Sequence, residues 1–282
     1  MTDLLTELAT ERGNPLPITT AVNRWRASGE EYTPTAVERV ITAMRHDLLS
    51  DHRSMSEGRM RPSSIPDPCR RMHALQFAGF EKAPFSERSR GFMDSGTWAH
   101  YQWQAMLLSA YELGYGGITD IEVPVRYEPW KLSGSMDGIQ PDQSIFELKT
   151  VGSFKWSGWK SKGIKGIKDA VEPPLKYTQQ VTGYMKSLGV TEASIVCVSR
   201  DNNNEFREFR VTWDQAVFDA LDRQFTTTMA YVNRGELPPM LESCQWVHYG
   251  GSMEGVTTAM RDEWEATFDK CDFHHICPKA VL

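Results

Sequence analysis

The hydrophobic and polar positions of this chain divide it into helical and strand-like stretches. In TPTAVERVITAMRHDLL, residues 33–49, apolar side chains recur three and four apart behind a Thr cap and a Pro in the first turn, which predicts a helix. A second helix is expected from Ser95, as cap, to Leu113, with Gly114 as its stop. The pattern then shortens to strand-like runs: ITDIEVPVRYE, KLSGSMDGI and SIFELKTV. Residues 152–172 carry no such pattern. Pro173 and Pro174 open a helix over LKYTQQVTGYMKSLG, closed by Gly189. The strands ASIVCVSR and EFREFRV follow, joined by a DNNN turn, and then a helix from Asp214 to Asn233. The last 45 residues look irregular apart from a helix near 256–268. This order predicts an α/β fold, a mixed sheet flanked by helices. Residues 1–60 form a helical extension, 61–240 the core and 241–282 a C-terminal segment.

The run GSMDGIQPDQSIFELKT, residues 134–150, sets three charges where strands point inward. With the turn centred on Asp142, Asp137 falls directly opposite Glu147, at a Cβ separation of about 4.5–5.5 Å. Lys149 is two residues beyond Glu147 and emerges on the same face. Two carboxylates and an ammonium crowded together need a surface location or a metal ion. Carboxylate oxygens with open positions select Mg²⁺ or Mn²⁺. Such an ion activates water and neutralises charge developing on a phosphate. Gly134 and Gly138 flank the aspartate and permit close approach of backbone or ligand. His100, in GTWAH, suits Mn²⁺ and is tolerated by Mg²⁺. Gln180 and Tyr184 share a helical face at i and i+4.

Composition changes this picture little. The chain has 282 residues, 40% hydrophobic and 24% charged, with a net charge of −6. That is ordinary globular composition, and the acidic total disfavours a protein coated in nucleic acid while leaving room for a basic channel. The N-terminus lacks a signal-peptide pattern and no apolar run has membrane-spanning length, so a cytoplasmic protein without membrane attachment is expected. Five cysteines in a reducing compartment are not a disulfide framework. Cys197, inside an apolar run, reads as core.

His100 after a Gly-Thr start, GSMDG, ELK and QxxxY appear in the order and approximate spacing of RecB-like nucleases of the PD-(D/E)XK superfamily, which residues 61–212 therefore resemble. The resemblance implies a restriction-endonuclease-like sheet. It implies metal ligands at His100, Asp137, Glu147 and the carbonyl of Leu148, and a catalytic lysine at Lys149. Gln180 and Tyr184 would support the site and contact the DNA strand. Glu122 falls where some relatives carry a further acid. In the iron–sulfur branch of these nucleases one cysteine precedes the core and three follow it. Cys69, followed by Arg70 and Arg71, and Cys271 and Cys277 resemble that pattern, but Phe268 stands where a further cysteine is expected. Cys244 is then the candidate for the fourth ligand of a [4Fe–4S] cluster. A zinc site of Cys244, Cys271, Cys277 and either His274 or His275 stays open beside it.

Lys155, Lys160, Lys162, Lys165 and Lys168 alternate with Trp156, Trp159 and glycines. Cations neutralise phosphates and aromatic faces stack on bases, so this segment suits a single strand. Arg70, Arg71, Arg88 and Arg90 would add to the same wall. These readings lead to a metal-dependent DNA exonuclease acting on single-stranded ends in phage or prokaryotic recombination, repair or replication, with recombination or replication proteins as partners. A nucleic-acid-binding recombination module without turnover and a structure-specific endonuclease remain alternatives.

Overall fold

The structure, a computed structural model, describes residues 16–49, 58–84, 87–159, 164–241, 271–273, 275–277 and 280. Among the described residues four α-helices come first: α1 (Pro17–Ser28), α2 (Pro34–Leu49), α3 (Arg70–Phe77) and α4 (Glu87–Glu112). Three strands follow, β1 (Asp120–Tyr127), β2 (Leu132–Ile139) and β3 (Ile145–Val151). A short helix α5 (Ser153–Ser157) and the two-residue strands β4 (Gly158–Trp159) and β5 (Ile164–Lys165) lead to α6 (Leu175–Leu188). Then come β6 (Glu192–Ser199), β7 (Phe206–Thr212) and α7 (Gln215–Asn233). The fold is mixed α/β: an open five-stranded sheet in the order β1-β2-β3-β6-β7, flanked by helices. Only the β3–β6 pair is parallel. The connection between these two strands carries α5, β4, β5 and α6, because parallel neighbours need a long crossover.

Two differences from the sequence-based expectation concern helices. The helix predicted from Ser95 begins two turns earlier, at Glu87, so Ser95 lies inside it and caps nothing. Pro68 and Cys69 precede a helix, α3, that the Pro-rich local pattern concealed, and the Cys69 sulfur accepts the Met72 N–H as its cap. The helix expected near 256–268 lies outside the described residues.

Both faces of the sheet are covered. On one side, Val181, Tyr184 and Met185 of α6 and Phe218, Leu221 and Phe225 of α7 pack with Ile145, Ile195, Phe209 and Trp130. On the other, Trp103 and Leu107 of α4 pack with Phe146, Leu148, Val196 and Val198, joined by Ile18 and Val22 of α1 and Ala36 and Val40 of α2. The described part of the N-terminal extension therefore belongs to the core. Strands buried on both faces read as continuous apolar runs, which is why β6 is buried from Ala193 to Ser199. β3 has the same character, and Glu147 interrupts its run of Ile145, Phe146 and Leu148. At Gly183 α6 lies close against the segment before α3: a Cβ there would lie 2.4 Å from Ile65 Cδ1.

Candidate active site

The site forms where two ladders stop. β2 and β3 pair as Gly138 with Phe146 and Ile139 with Ile145, the register that a turn at Asp142 predicts. The next step would pair Asp137 with Glu147, but the strands part there. Asp137 Oδ2 takes the Leu148 N–H at 2.6 Å, so a carboxylate replaces the backbone partner. The β1–β2 ladder also skips one step, between Ile121–Gly138 and Val123–Met136. Glu122 lies in that gap with a φ of 48°, left-handed backbone that side chains other than glycine rarely adopt. Its carboxylate accepts Gln104 Nε2 and Ser135 Oγ, each at 2.8 Å. Gly138 fits beside it only without a side chain, because a Cβ would lie 2.7 Å from the Asp120 carbonyl oxygen. The glycines flanking Asp137 thus admit the protein's own atoms, with Gly134 closed against Pro62.

Helices on both sides supply the remaining groups. From α4, His100 Nδ1 stands 3.0 Å from Asp137 Oδ1, and Gln104 Nε2 donates to the Asp137 carbonyl at 3.0 Å. From β3, Lys149 Nζ donates to Glu147 Oε1 at 2.5 Å. From α6, Gln180 Nε2 donates to the same oxygen at 2.8 Å and is 2.7 Å from Tyr184 Oη. The Tyr184 hydroxyl donates to the Ser135 carbonyl at 3.3 Å. Tyr177 lies under Lys149, with Nζ 5.8 Å from the ring centroid. His100, Asp137, Glu147, Lys149, Gln180 and Tyr184, scattered over 85 positions of sequence, therefore share one place. Gln104, Ser135 and Tyr177 were not foreseen. Gln104 is four residues after His100 and lies on the same helical face, the one signal that points to it.

Electrostatics single out Glu147. It is 2% exposed, and its Oε2 is buried with no hydrogen-bond partner. Burial, and then the charge of Asp137, push its carboxyl up to about 7. Asp137 has the opposite balance: burial works against its charge, but the His100 charge and hydrogen bond outweigh it and hold it below the ordinary carboxylate range. Burial disfavours the His100 and Lys149 cations as well, yet the neighbouring carboxylates raise both. Glu122 is raised by burial and by Asp137.

The donor set fits a hard divalent cation in kind: one imidazole and two carboxylates, one of which has an oxygen without a partner. Among the described residues no three His, Cys, Asp or Glu groups are disposed as a ready-made metal site. The reason is visible in the contacts, since the imidazole is turned onto Asp137 and the ammonium onto Glu147.

The residues expected to contact a strand have different surroundings. Gln180 and Tyr184 are buried, Gln180 against Glu147 and Tyr184 against Gln180 and the Ser135 carbonyl. Trp156 is 4% exposed and donates to Glu205 at 2.7 Å, so it is core; the exposed ring of that segment is Phe154, 68% exposed. Arg71 is directed to the carbonyls of Pro238 and Cys277 and does not join a basic wall. Lys155 and Lys165 are exposed. Lys160, Lys162 and the side chains of Trp159 and Arg88 lie outside the described residues. Cys69, Cys271 and Cys277 meet in one small apolar cluster with Met72, Leu75 and Phe273, while Cys244 and His274 lie outside the described residues.

No protein-family model and no curated protein matches the chain. Solved structures do resemble it at low identity. An alkaline exonuclease from Laribacter hongkongensis is 15% identical, with a TM-score of 0.47 over 64% of this chain and 91% of that one. The protein SSO0001 is 14% identical, with a TM-score of 0.44 over 86% and 95%. A phage-related exonuclease from Haemophilus somnus is 13% identical, with a TM-score of 0.38 over 62% and 94%. No helix of the described residues is long and apolar enough to cross a membrane.

Proposed function

We propose that this chain is a metal-dependent DNA exonuclease that hydrolyses phosphodiester bonds at single-stranded ends. The observation that carries the reading is the buried, partnerless Oε2 of Glu147, set beside Asp137, His100 and Lys149 where β2 and β3 separate. A buried anionic oxygen without a partner costs several kcal/mol, and a bound cation removes that cost. Asp137, Glu147, His100 and the Leu148 carbonyl would hold Mg²⁺ or Mn²⁺, which when bound acidifies water and neutralises charge on the phosphate. The chain's own residues do the rest. Lys149, raised and therefore an ammonium, donates to a phosphate oxygen or orients the water. Gln180, itself held by Tyr184, fixes the Glu147 carboxylate by one oxygen and leaves the other free of protein donors. Gln104 fixes the backbone of Asp137. Exposed Phe154, Lys155 and Lys165 offer a stacking ring and phosphate partners after β3.

Digestion of an end-labelled linear strand tests the reading. Mn²⁺ or Mg²⁺ should release nucleotides, EDTA should stop the release, and Asp137→Ala or Lys149→Ala should abolish it in a folded protein. Full activity in either variant would remove that residue's role, and cutting of circular single strands would make the enzyme an endonuclease.

A second part of the proposal concerns the cysteines. Their apolar neighbourhood and the N–H to sulfur bond at Cys69 support Cys69, Cys271 and Cys277, with Cys244, as thiolate ligands of a structural [4Fe–4S] cluster. Anaerobically purified protein should be brown and contain iron and sulfide. A colourless protein replete with zinc would assign the site to Zn²⁺.

A further inference from the structure

A cleft of about 490 Å³ opens beside the site, on the α4 side of the sheet. Its walls come from three places. Trp98, Ala99 and Gln102 belong to the turn of α4 that carries His100, and Thr150 directly follows Lys149 on β3. Arg200 and Asn203 come from the β6–β7 turn. The helix and β3 are pressed together here, since a Cβ at Gly96 would lie 3.3 Å from Thr150 Oγ1. The cleft and the carboxylate cluster are therefore neighbours along α4 and β3.

The chemistry of the walls is selective. Arg200 is the only charged residue lining the cleft among the described residues. It has no carboxylate partner there: its guanidinium lies over the Phe92 ring, 4.8 Å from the centroid, and its Nε is buried without a hydrogen-bond acceptor. A guanidinium that lines a cleft, lies over a ring and has no carboxylate partner offers its terminal N–H groups to an anion with two or more acceptor oxygens. Trp98 is 62% exposed, an unusual place for an indole, and its edge is steadied by Tyr101 at 6.2 Å between centroids. Asn203 Nδ2 donates to Gln102 Oε1 at 3.0 Å, which leaves an amide pair between the cation and the indole. A phosphate partner, a flat apolar platform and amide groups between them match one unpaired nucleotide.

We infer that this cleft is a nucleotide subsite, in which Arg200 takes a backbone phosphate and Trp98 stacks on the base next to the bond to be cut. The inference rests on the reading of the substrate as a DNA strand and extends it to a second face of the sheet. The strand then passes from the cleft around His100 to the carboxylates, and Trp98 and Arg200 are binding and positioning residues. Base stacking on an aromatic platform is indifferent to sequence, so the subsite prefers unpaired ends without preferring particular bases.

The test is binding without hydrolysis. Fluorescence anisotropy of a fluorescein-labelled oligothymidylate in EDTA is measured for wild type, Trp98→Ala, Trp98→Phe, Arg200→Ala and Arg200→Lys. Trp98→Ala should weaken binding about tenfold, and Trp98→Phe should restore most of it. Arg200→Ala should weaken binding to a similar degree and reduce the salt slope by about one phosphate contact, and Arg200→Lys should recover the slope more than the affinity. Unchanged affinity and slope in both Ala variants, with unchanged melting temperatures, would overturn the subsite. A wild-type protein that binds through these two residues yet releases no nucleotide with Mn²⁺ would remove the hydrolase reading and leave the subsite standing.

Discussion

Two glutamates of the same sheet are buried, and they differ in what meets their oxygens. Glu208 on β7 is fully matched: Oε1 accepts the Ile18 N–H and Ser194 Oγ, and Oε2 accepts the Thr19 N–H and Thr19 Oγ. All of its donors are neutral, and they tie the first turn of α1 to the sheet. Glu147 on β3 has one oxygen shared by an ammonium and an amide, and the other has nothing. Burial raises the pKa of both acids. Burial and a raised pKa are therefore common to both acids and do not tell them apart. Satisfaction of the oxygens and the charge of the neighbours do.

Exchange of the two carboxylates for amides breaks the comparison most sharply. Glu147→Gln should lower metal-dependent strand cleavage by roughly a thousandfold or more, as loss of a cation's ligand and of aligned charge would. Glu208→Gln should leave the rate within a few-fold, as read in the same digestion assay. Stability should move the other way. Glu208→Ala strands four donors and should cost about 2–4 kcal/mol in urea unfolding. Glu147→Gln removes the counter-charge of the Lys149 ammonium but also the charge on the partnerless Oε2, so its net cost in the metal-free protein should be smaller than that of Glu208→Ala.

The smallest effect is a pH slope. Glu147 titrates near 7 in the folded protein and at about the ordinary 4.5 when unfolded. Between those values the folded state binds more protons, so this group's contribution to stability falls as pH rises. Urea unfolding of the metal-free protein from pH 5 to 8 should therefore show wild type losing stability relative to Glu147→Gln, by a few kcal/mol at most. A difference that grows in the opposite sense would mean that Glu147 is stabilised as a carboxylate by its neighbours alone.

How much of this was legible in the sequence follows from the range of the contacts. The hairpin was: strand period and one turn residue are local, and they predict the register that brings Asp137 and Glu147 together. The parting of the strands at that step was not, because it depends on Asp137 reaching the Leu148 N–H and on the kink at Glu122. The helix pair Gln180 and Tyr184 was legible as a face, but its burial against Ser135 was not. Trp156 was misread for the same reason. A lysine-rich neighbourhood suggests an exposed loop, whereas the indole is buried by a partner 49 residues away, Glu205. Ser95 failed as a cap because α4 continues through Gly91 and Gly96 back to Glu87. The grouping of Cys69 with Cys271 and Cys277, about 200 residues apart, was legible only through the resemblance of their pattern and not from any local period.

The most direct measurement of the central claim is the melting temperature of wild type and Glu147→Gln over a Mn²⁺ titration. A cation bound by the Glu147 carboxylate stabilises wild type by about 2.7 kcal/mol at a hundred times its Kd, and Glu147→Gln should show little of that gain. An equal rise in both proteins, or none in wild type, would contradict the claim.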